Sequence, residues 1–372
     1  MKVVKFGGSS LADSKNILIA KSVVESDAER TFVVVSAPGK AKNASYINGN
    51  LRPDLKITDL LIDAHAKMCV DDNSDEKYES LETALRRFKN IANELGIDMY
   101  DEIESTRNEI LKNKCDYDFV ISRGEYLMSV LFSRLIGYDF LDAKDYIVIK
   151  KNGTVNLCET RKNFNKIDKT GHYVMGGFFG RGENFLIRTF ARGGSDYTGA
   201  IVSVCLGADL YENFTDTYGV QTANPSIVKN TETVPEMDYG SLRTLCWGGA
   251  TVIFPNCVPL LKRHAMPLKV DSTFDSDKKF TLVTGKKAEK PFFSITYETK
   301  ANINKDMAEI VCVLHKIRFS ISDLRTLLLG YKVYLVEYSD KVIRLMTPAV
   351  CVETIVNILH RRLVPFVTKN SY

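Results

Sequence analysis

The stretch Val3-Val-Lys-Phe-Gly-Gly-Ser-Ser10, followed by a helical pattern and then by Thr31-Phe-Val-Val-Val-Ser36, decides the fold. Two short, continuously apolar strands separated by one helix form a βαβ unit. Such a unit predicts a parallel sheet, and strands that are apolar on both sides are covered by helices on both faces. We therefore expect an α/β fold with a mostly parallel sheet sandwiched by helices.

The composition is that of a globular protein and excludes two classes of partner. The chain has 372 residues, enough for two or three domains at about 100–200 residues each. Its 50 Lys and Arg residues against 46 Asp and Glu residues give a net charge of +4, too balanced for nucleic-acid or membrane binding. No apolar run approaches the ~18 residues of a membrane span, and Lys5 interrupts the apolar N-terminal stretch, which is unlike a signal peptide. We expect a cytoplasmic protein.

A polar segment divides the chain unequally. Gly285-Lys-Lys-Ala-Glu-Lys-Pro291 has the composition of a linker, which predicts a large domain over residues 1–284 and a small one over 292–372. In the small domain we expect strands at 292–298, 331–338 and 364–368 and helices at 304–316 and 348–361. That pattern predicts an α+β domain.

Cysteine and histidine spacing indicates no metal site. The eight cysteines contain no C-x-x-C pair, and several lie in apolar stretches, so we interpret them as free thiols that behave as small buried hydrophobes. The five histidines are equally scattered, and none is assigned as a ligand or a base.

Two glycine pairs lie where a strand is followed by a helix. Lys5-Phe-Gly-Gly-Ser-Ser10 is the first, and Ala191-Arg-Gly-Gly-Ser-Asp-Tyr-Thr198 is the second. The first N–H groups of a helix have no intrahelical acceptor, and glycine lets an anion approach them. Two such turns in one domain suggest a site for more than one anionic group, although a glycine pair at a strand end is often only a turn.

A third cluster, Ser122-Arg-Gly-Glu-Tyr126, carries a carboxylate. We expect Glu125 to lie at the start of a helix, where the helix dipole favours a negative charge. The cluster therefore has two interpretations that the sequence alone leaves open, a ligand-binding acid and an ordinary helix-terminal charge.

Together these clusters resemble aspartate kinases of the amino-acid-kinase superfamily. The motifs that carry the resemblance, over about residues 1–284, are Lys5-Phe-Gly-Gly-Ser-Ser10, Val33-Val-Val-Ser-Ala37, Arg123-Gly-Glu125, Gly177-Phe-Phe-Gly180, Arg192-Gly-Gly-Ser-Asp196, Thr215-Asp216 and Asn224-Pro225. Ser36-Ala-Pro-Gly39 followed by Lys56-Ile-Thr-Asp-Leu-Leu61 is similar to the bacterial lysine-sensitive type. The resemblance implies the amino-acid-kinase fold.

The resemblance also implies a reaction, the transfer of the γ-phosphoryl group of MgATP to the β-carboxylate of L-aspartate. This is the first step toward lysine, threonine and methionine. Carried over by motif, Lys5 and Asp196 are the catalytic residues. The aspartate-binding residues implied are Thr58, Glu125, Arg192 and Ser195, and the ATP-binding residues implied are Gly7, Gly8, Ser9, Gly193, Gly194, Thr215 and Asp216. No protein-bound metal is implied beyond the Mg²⁺ that accompanies ATP.

The chain departs from the family pattern at the nucleotide edge. Ser226 and Thr251 occupy positions where the family commonly has cations. Losing a cation at a phosphate weakens binding by about 1–3 kcal/mol, the scale of a charge-assisted hydrogen bond. This leaves open an alternative function, a weak or inactive paralogue that acts as an amino-acid sensor or a regulatory subunit.

The small domain is similar to an ACT-type regulatory domain with a βαββαβ order. Aspartate kinases usually carry two such domains, and this chain has room for one. Either the second was lost together with feedback inhibition, or the single domain pairs across a homodimer. We expect a homodimer, because a small exposed sheet needs covering.

Overall fold

The computed structural model describes residues 1–40, 45–47, 50–52, 55–70, 75–191, 193–275, 279–299 and 306–368. The chain divides into two compact units, Met1–Asp216 and Thr217–Tyr372. No helix in the described ranges is long and apolar enough to cross a membrane.

The first unit alternates strands and helices along most of its length. Its elements are β1 (Lys2–Phe6), α1 (Ser14–Glu25), β2 (Arg30–Val35), β3 (Ser45–Ile47), β4 (Asn50–Arg52), α2 (Ile57–Met68), α3 (Glu79–Leu95), α4 (Tyr100–Lys112), α5 (Tyr117–Ile136), β5 (Asp139–Leu141), α6 (Ala143–Tyr146), β6 (Val148–Ile149), α7 (Leu157–Phe164), β7 (Tyr173–Gly176), β8 (Phe179–Gly182), β9 (Ile187–Thr189), α8 (Gly194–Leu206) and β10 (Leu210–Thr215).

The predicted parallel sheet is present in the first unit. Its strands lie in the order β10-β1-β2-β7-β5, and every neighbouring pair is parallel. Val3, Val4, Val33 and Val34 are fully buried, because side chains on both faces of the sheet are covered by helices. Parallel strands bring their carboxyl ends to one edge, and in open α/β sheets ligands bind beyond that edge.

The second unit contains two further groups of strands. Its elements are β11 (Glu236–Asp238), α9 (Tyr239–Trp247), α10 (Cys257–Arg263), β12 (Leu268–Ser272), β13 (Thr281–Thr284), β14 (Phe292–Thr299), β15 (Met307–His315), α11 (Ile321–Leu327), β16 (Tyr334–Tyr338), β17 (Val342–Pro348) and α12 (Val352–Thr368). β13 pairs in parallel with β11 and antiparallel with β12. β14, β15, β17 and β16 form, in that order, an antiparallel sheet.

The C-terminal part is α+β as predicted, but its element order differs from the prediction. The predicted helix 304–316 is wrong where the structure describes it, because Met307–His315 is a strand. Alternate residues Ala308, Ile310, Cys312 and Leu314 join one core cluster, and Val311 and Val313 between them are buried too. A run that is apolar on both faces shows no clear period, which explains the error.

The predicted strand 364–368 is also wrong, because it continues helix α12. Ile355, Leu359 and Leu363 follow the helical spacing, and Phe366 and Val367 pack against the same cluster. The observed order is therefore ββαββα rather than βαββαβ.

All eight cysteines are free thiols, as expected. Cys205, Cys246, Cys257 and Cys312 are buried. Cys69, Cys115 and Cys158 are exposed, so their interpretation as buried hydrophobes was wrong. These three lie in polar segments at helix ends, not in apolar runs.

Candidate active site

A buried ion pair lies at the carboxyl edge of the parallel sheet. Lys5, near the end of β1, places its Nζ 2.5 Å from Oδ1 of Asp196, in the first turn of α8. The lysine side chain is 8% exposed and the aspartate side chain 15% exposed. A buried ammonium that has one carboxylate partner keeps a fixed position, and its other hydrogens can donate to a second anion.

The first glycine pair packs backbone against backbone. The N–H of Gly39 donates to the carbonyl of Gly8 at 2.8 Å, and a Cβ added to Gly8 would lie 2.9 Å from the carbonyl oxygen of Ala37. Asn16 holds the carbonyl of Ser9 at 2.9 Å. Gly8 and Ser9 are the first residues of a short 3₁₀ helix, so their N–H groups have no acceptor within that helix.

Glu125 lies in the middle of α5, not at the start of a helix as predicted. The interpretation as a helix-terminal charge is therefore wrong, because the residue is two turns from the helix N-terminus. The side chain is buried, and its Oε2 has no hydrogen-bond partner in the described part of the chain. Burial raises the pKa of Glu125 to about 8, against the opposing effect of backbone N–H groups of Ala37 and of Glu125 itself. An unpartnered buried carboxyl indicates a site for an external donor.

Close contacts place Glu125 near the start of α2, which carries Thr58, and near the end of β7. A Cβ added to Gly124 would lie 2.9 Å from Cβ of Ala37 and 3.0 Å from Cγ2 of Ile57, so α5 packs directly on the first turn of α2, which carries Thr58. A Cβ added to Gly176, at the end of β7, would lie 2.9 Å from the carbonyl oxygen of Glu125.

The second glycine pair shapes the start of α8. Gly193 is the N-cap of the helix and has a φ of 79°, a left-handed conformation that favours glycine. A Cβ added to Gly194 would lie 2.8 Å from the Phe178 ring, and Phe178 itself has a φ of 74°. Ser195 is buried against Gly177. Arg192 lies outside the described residues.

Thr215 is the last residue of β10, the strand that pairs with β1, and Asp216 follows it. The N–H of Gly7 donates to the carbonyl of Phe214 at 3.2 Å, which places Thr215 next to the glycine turn. The Thr215 hydroxyl donates to Oδ1 of Asp216 at 3.2 Å. Both residues therefore lie at the same sheet edge as Lys5.

Sequence reasoning missed Arg87, a buried arginine that connects three loops of this edge. Its guanidinium donates to the carbonyl oxygens of Ala12 at 2.9 Å, Gly39 at 2.5 Å and Leu55 at 2.9 Å. Burial lowers the pKa of Arg87. An arginine in the amphipathic helix α3 is indistinguishable in sequence from a surface charge, so no pattern could have identified it.

We expect Arg87→Met to lower the free energy of unfolding by about 2–4 kcal/mol, because three buried carbonyls lose a charged donor. Urea unfolding followed by circular dichroism measures this. Arg86→Met, at the exposed neighbouring position, is the matched control and should change stability by less than about 0.5 kcal/mol. Equal stability of the two variants would show that Arg87 does not hold the loops.

We expect Gly177→Ala to impair activity far more than folding. The added Cβ would lie 2.6 Å from Cβ of Ser195, so the start of α8 must shift. Displacing catalytic groups by about 1 Å can cost about 10² in rate, whereas overpacking costs about 1–3 kcal/mol of stability. The kcat and the thermal midpoint are measured against Gly285→Ala, where the new Cβ has no neighbour closer than 4.0 Å. An unchanged kcat in Gly177→Ala would show that the contact between Gly177 and Ser195 does not position the start of α8.

In the described ranges no group of three or more His, Cys, Asp or Glu side chains could hold a metal ion.

A lysine–aspartate pair, glycine turns and an unpartnered acid lie at the carboxyl ends of parallel strands, the edge at which open α/β proteins bind their ligands. The chain belongs to the amino acid kinase family, whose model matches residues 1–271.

Relatives of this chain include aspartokinases. Aspartokinase 3 of Bacillus subtilis (strain 168) is 33% identical over 304 residues, which cover 77% of this chain and 64% of the relative. The aspartokinase of Chlamydia pneumoniae is 27% identical over 298 residues, covering 76% of this chain and 62% of the relative. The chain thus spans just under two thirds of the length of these relatives.

Solved structures show the same architecture. The aspartate kinase of Clostridium acetobutylicum superposes with a TM-score of 0.82 and 25% identity, covering 97% of this chain and 99% of that chain. E. coli aspartokinase III in complex with aspartate and ADP superposes with a TM-score of 0.80 at 19% identity, covering 98% of this chain and 100% of that chain. The predicted amino-acid-kinase fold is confirmed.

Proposed function

We propose that this protein is an aspartate kinase, which transfers the γ-phosphoryl group of MgATP to the β-carboxylate of L-aspartate to give 4-phospho-L-aspartate and ADP. This would be the first step of the aspartate-family amino-acid pathway. The observation that carries the proposal is the buried Lys5–Asp196 pair at the sheet edge where Glu125 also lies. The similarity to aspartokinases supports it.

The chemistry needs no general base. A β-carboxylate has a pKa of about 4 and is already ionised at neutral pH. One of its oxygens forms a bond to the γ-phosphorus while the bond from that phosphorus to the β–γ bridging oxygen breaks, and ADP takes the bonding electrons. Catalysis then consists of in-line positioning and neutralisation of charge on the transferring group. Lys5 supplies that charge, and Asp196 fixes the ammonium in position.

Glu125 is the proposed partner of the substrate ammonium. Its unpartnered Oε2 supports this role, because a cation is the donor that compensates a buried carboxylate best. Thr58 follows Ile57, which packs on Gly124, and Ser195 packs on Gly177; both are proposed to line the aspartate pocket. Arg192 is proposed to bind the α-carboxylate through its guanidinium fork.

The proposed nucleotide side is formed by backbone and small polar groups. Gly7, Gly8, Ser9, Gly193 and Gly194 allow phosphate oxygens to approach the main chain, and Thr215 and Asp216 face the nucleotide. Mg²⁺ is proposed to enter with ATP, held mainly by the phosphate oxygens, as is usual for this ion. Ser226 and Thr251 in place of cations are proposed to raise the KM for ATP, not to abolish turnover.

The proposed catalytic domain comprises residues 1–284, followed by a linker over 285–291 and an ACT-like domain over 292–372. We propose that the four-stranded sheet mediates a homodimer in the cytoplasm. The edge strand β16 supports this, since Tyr334, Leu335, Val336 and Tyr338 are all exposed. An apolar edge strand left uncovered favours aggregation, and pairing with a second copy removes it. Sedimentation velocity tests the dimer.

Steady-state kinetics test the reaction. With MgATP, ADP should form at a rate that depends on the concentration of L-aspartate. L-Asparagine, which lacks the β-carboxylate, should not support ADP formation. L-Glutamate should be a poor substrate, because its longer side chain misplaces the nucleophile by about one C–C bond. Aspartate binding without any ADP formation would favour the amino-acid sensor instead.

A further inference from the structure

We propose that the second unit contains a separate binding site for a small organic polyanion, in a cavity of about 800 Å³ framed by four lysines. The lysines are Lys262, Lys287, Lys316 and Lys341, and the cavity is called the lysine pocket below. It uses none of the residues assigned to phosphoryl transfer. A cavity of 300–1,000 Å³ is the usual size for a small-molecule site.

The four lysines reach the pocket from four separate segments. Lys262 is in the last turn of α10, Lys287 follows β13, Lys316 follows β15 and Lys341 precedes β17. None of them forms an ion pair with a described residue, and the Lys316 ammonium donates only to the carbonyl of Glu289, at 2.7 Å. All four side chains are exposed, so water and salt screen part of their mutual repulsion, and a bound anion relieves what remains of it.

Two acidic residues also line the pocket, and they set the charge of the ligand. Asp238 is occupied as the N-cap of α9, because its carboxylate accepts the N–H groups of Gly240 and Ser241 at 2.8 and 3.1 Å. Asp340 lies beside Lys341 in the turn between β16 and β17. Four lysines and two aspartates leave a net charge of +2 from these residues. The matching ligand is therefore a dianion or a more highly charged anion.

The backbone of the pocket is strained at two positions. Ala265 has a φ of 49° and Lys316 a φ of 54°. Both residues line the pocket, and they are two of the four non-glycine residues with positive φ in the described chain. The left-handed conformation disfavours residues that carry a Cβ, and residues held in it cluster at ligand-binding sites. Ala265 takes this conformation at the end of α10, where the N–H of Met266 donates to the carbonyl of Leu261 at 3.0 Å, and Lys316 takes it directly after β15.

The rest of the lining favours an organic anion over an inorganic ion. Val313, Leu314 and Val342 are apolar, and the hydroxyl of Tyr239 already donates to the carbonyl of Met266 at 2.5 Å. Apolar walls combined with a few charged groups suit a ligand with an apolar or aromatic body and charged substituents. Organic phosphates and polycarboxylates share this chemistry.

The test uses the fluorescent aromatic trianion 8-hydroxypyrene-1,3,6-trisulfonate and the full chain. Fluorescence anisotropy should show saturable binding to the wild type. The double variant Lys262→Glu/Lys341→Glu should bind at least about tenfold more weakly, since two attractive charges become repulsive. Lys286→Glu/Lys290→Glu is the matched control, with the same change in net charge on exposed lysines of the same unit that do not line the pocket. Its affinity should stay within about twofold of the wild type.

Further measurements keep the proposal falsifiable. Lys262→Gln/Lys341→Gln should bind with intermediate affinity, and thermal midpoints should confirm that all variants are folded. Competition by pyrophosphate or by citrate then distinguishes a phosphorylated ligand from a polycarboxylate. The proposal would be overturned if the pocket variants and the control variant bound the probe equally weakly. It would also be overturned if ATP displaced the probe while the pocket variants bound it as tightly as the wild type. Neither result bears on aspartate phosphorylation, which is measured separately.

Discussion

Lys5→Met is expected to lower kcat for aspartate-dependent ADP formation by about 10³-fold or more, with little change in fold. Removing a single preorganised donor from a charge-stabilising site costs about 10²–10³ in rate, and here a full charge is removed as well. The effect should fall on kcat, because the charge that Lys5 neutralises is greatest in the transition state. Methionine nearly matches the length of lysine and preserves the packing of the buried stem.

The control for this variant lies on the same strand. Lys2 pairs with Asp27 at 2.7 Å near the surface, and Lys2→Met should leave kcat within about twofold of the wild type. Asp196→Asn should resemble Lys5→Met but be milder, because the ammonium loses its fixed position and not its charge. If Lys5→Met kept a kcat near the wild-type value, the ion pair would be structural and the assigned chemistry wrong.

Glu125→Gln is expected to raise the KM for L-aspartate by about 10²-fold at about pH 8.5, where the carboxyl of the wild type is ionised, with a smaller effect on the KM for ATP. A buried carboxylate that pairs with an ammonium contributes about 3 kcal/mol through a charge-assisted contact, and an amide keeps the shape without the charge. Glu102→Gln, on the neighbouring helix α4, is the control. Glu102 accepts hydrogen bonds from Tyr126 and Arg134 and is not assigned to the proposed aspartate pocket. Equal KM values for wild type and Glu125→Gln would remove Glu125 from the substrate site.

The raised pKa of Glu125 adds a pH signature to this prediction. With a pKa of about 8, the carboxyl is mostly protonated at pH 7 in the free protein. An ammonium binds the ionised form, so aspartate binding should release a proton from Glu125. The apparent affinity for aspartate should therefore rise between pH 6 and pH 8 and level off above the pKa. Calorimetry in buffers of different ionisation enthalpy measures the released proton, which should be absent in Glu125→Gln.

The raised pKa of Glu125 also affects the free energy of unfolding, which should fall as the pH rises, whereas the affinity for aspartate should rise. The folded state holds the proton of Glu125 up to a higher pH than the unfolded state, whose carboxyl has its ordinary pKa. The contribution of this group to stability is therefore present at low pH and is lost as the pH rises toward 8. The stability of Glu125→Gln relative to that of the wild type should thus be higher at pH 8.5 than at pH 5. A merely destabilising substitution would not show that pH trend.

Local patterns in the sequence predicted the parallel sheet, which the structure confirms. Apolar runs such as residues 31–36 predict buried strands, and the glycine pairs lie where a strand is followed by a helix, as the sequence indicates. That the glycine pairs bind anions stays a prediction. These inferences succeed because each depends on a few neighbouring residues. The roles of individual side chains came from the resemblance, and they stay predictions.

Features that depend on distant residues could not be predicted. Glu125 is in mid-helix, and its burial is decided by the packing of α5 on Ala37 and Ile57, far away in sequence. Arg87 holds carbonyls of loops that no local pattern connects to it. β15 was mistaken for a helix because both of its faces are covered, which removes the alternation by which a strand is recognised.

The most direct test of the central claim is to trap the product. Purified protein is incubated with L-aspartate, MgATP and hydroxylamine, which converts an acyl phosphate to a hydroxamate, with L-glutamate as the control substrate. We predict hydroxamate that requires both aspartate and ATP, forms in proportion to ADP, and is lost in Lys5→Met. A folded sample that binds aspartate yet yields no hydroxamate with either amino acid would contradict the account.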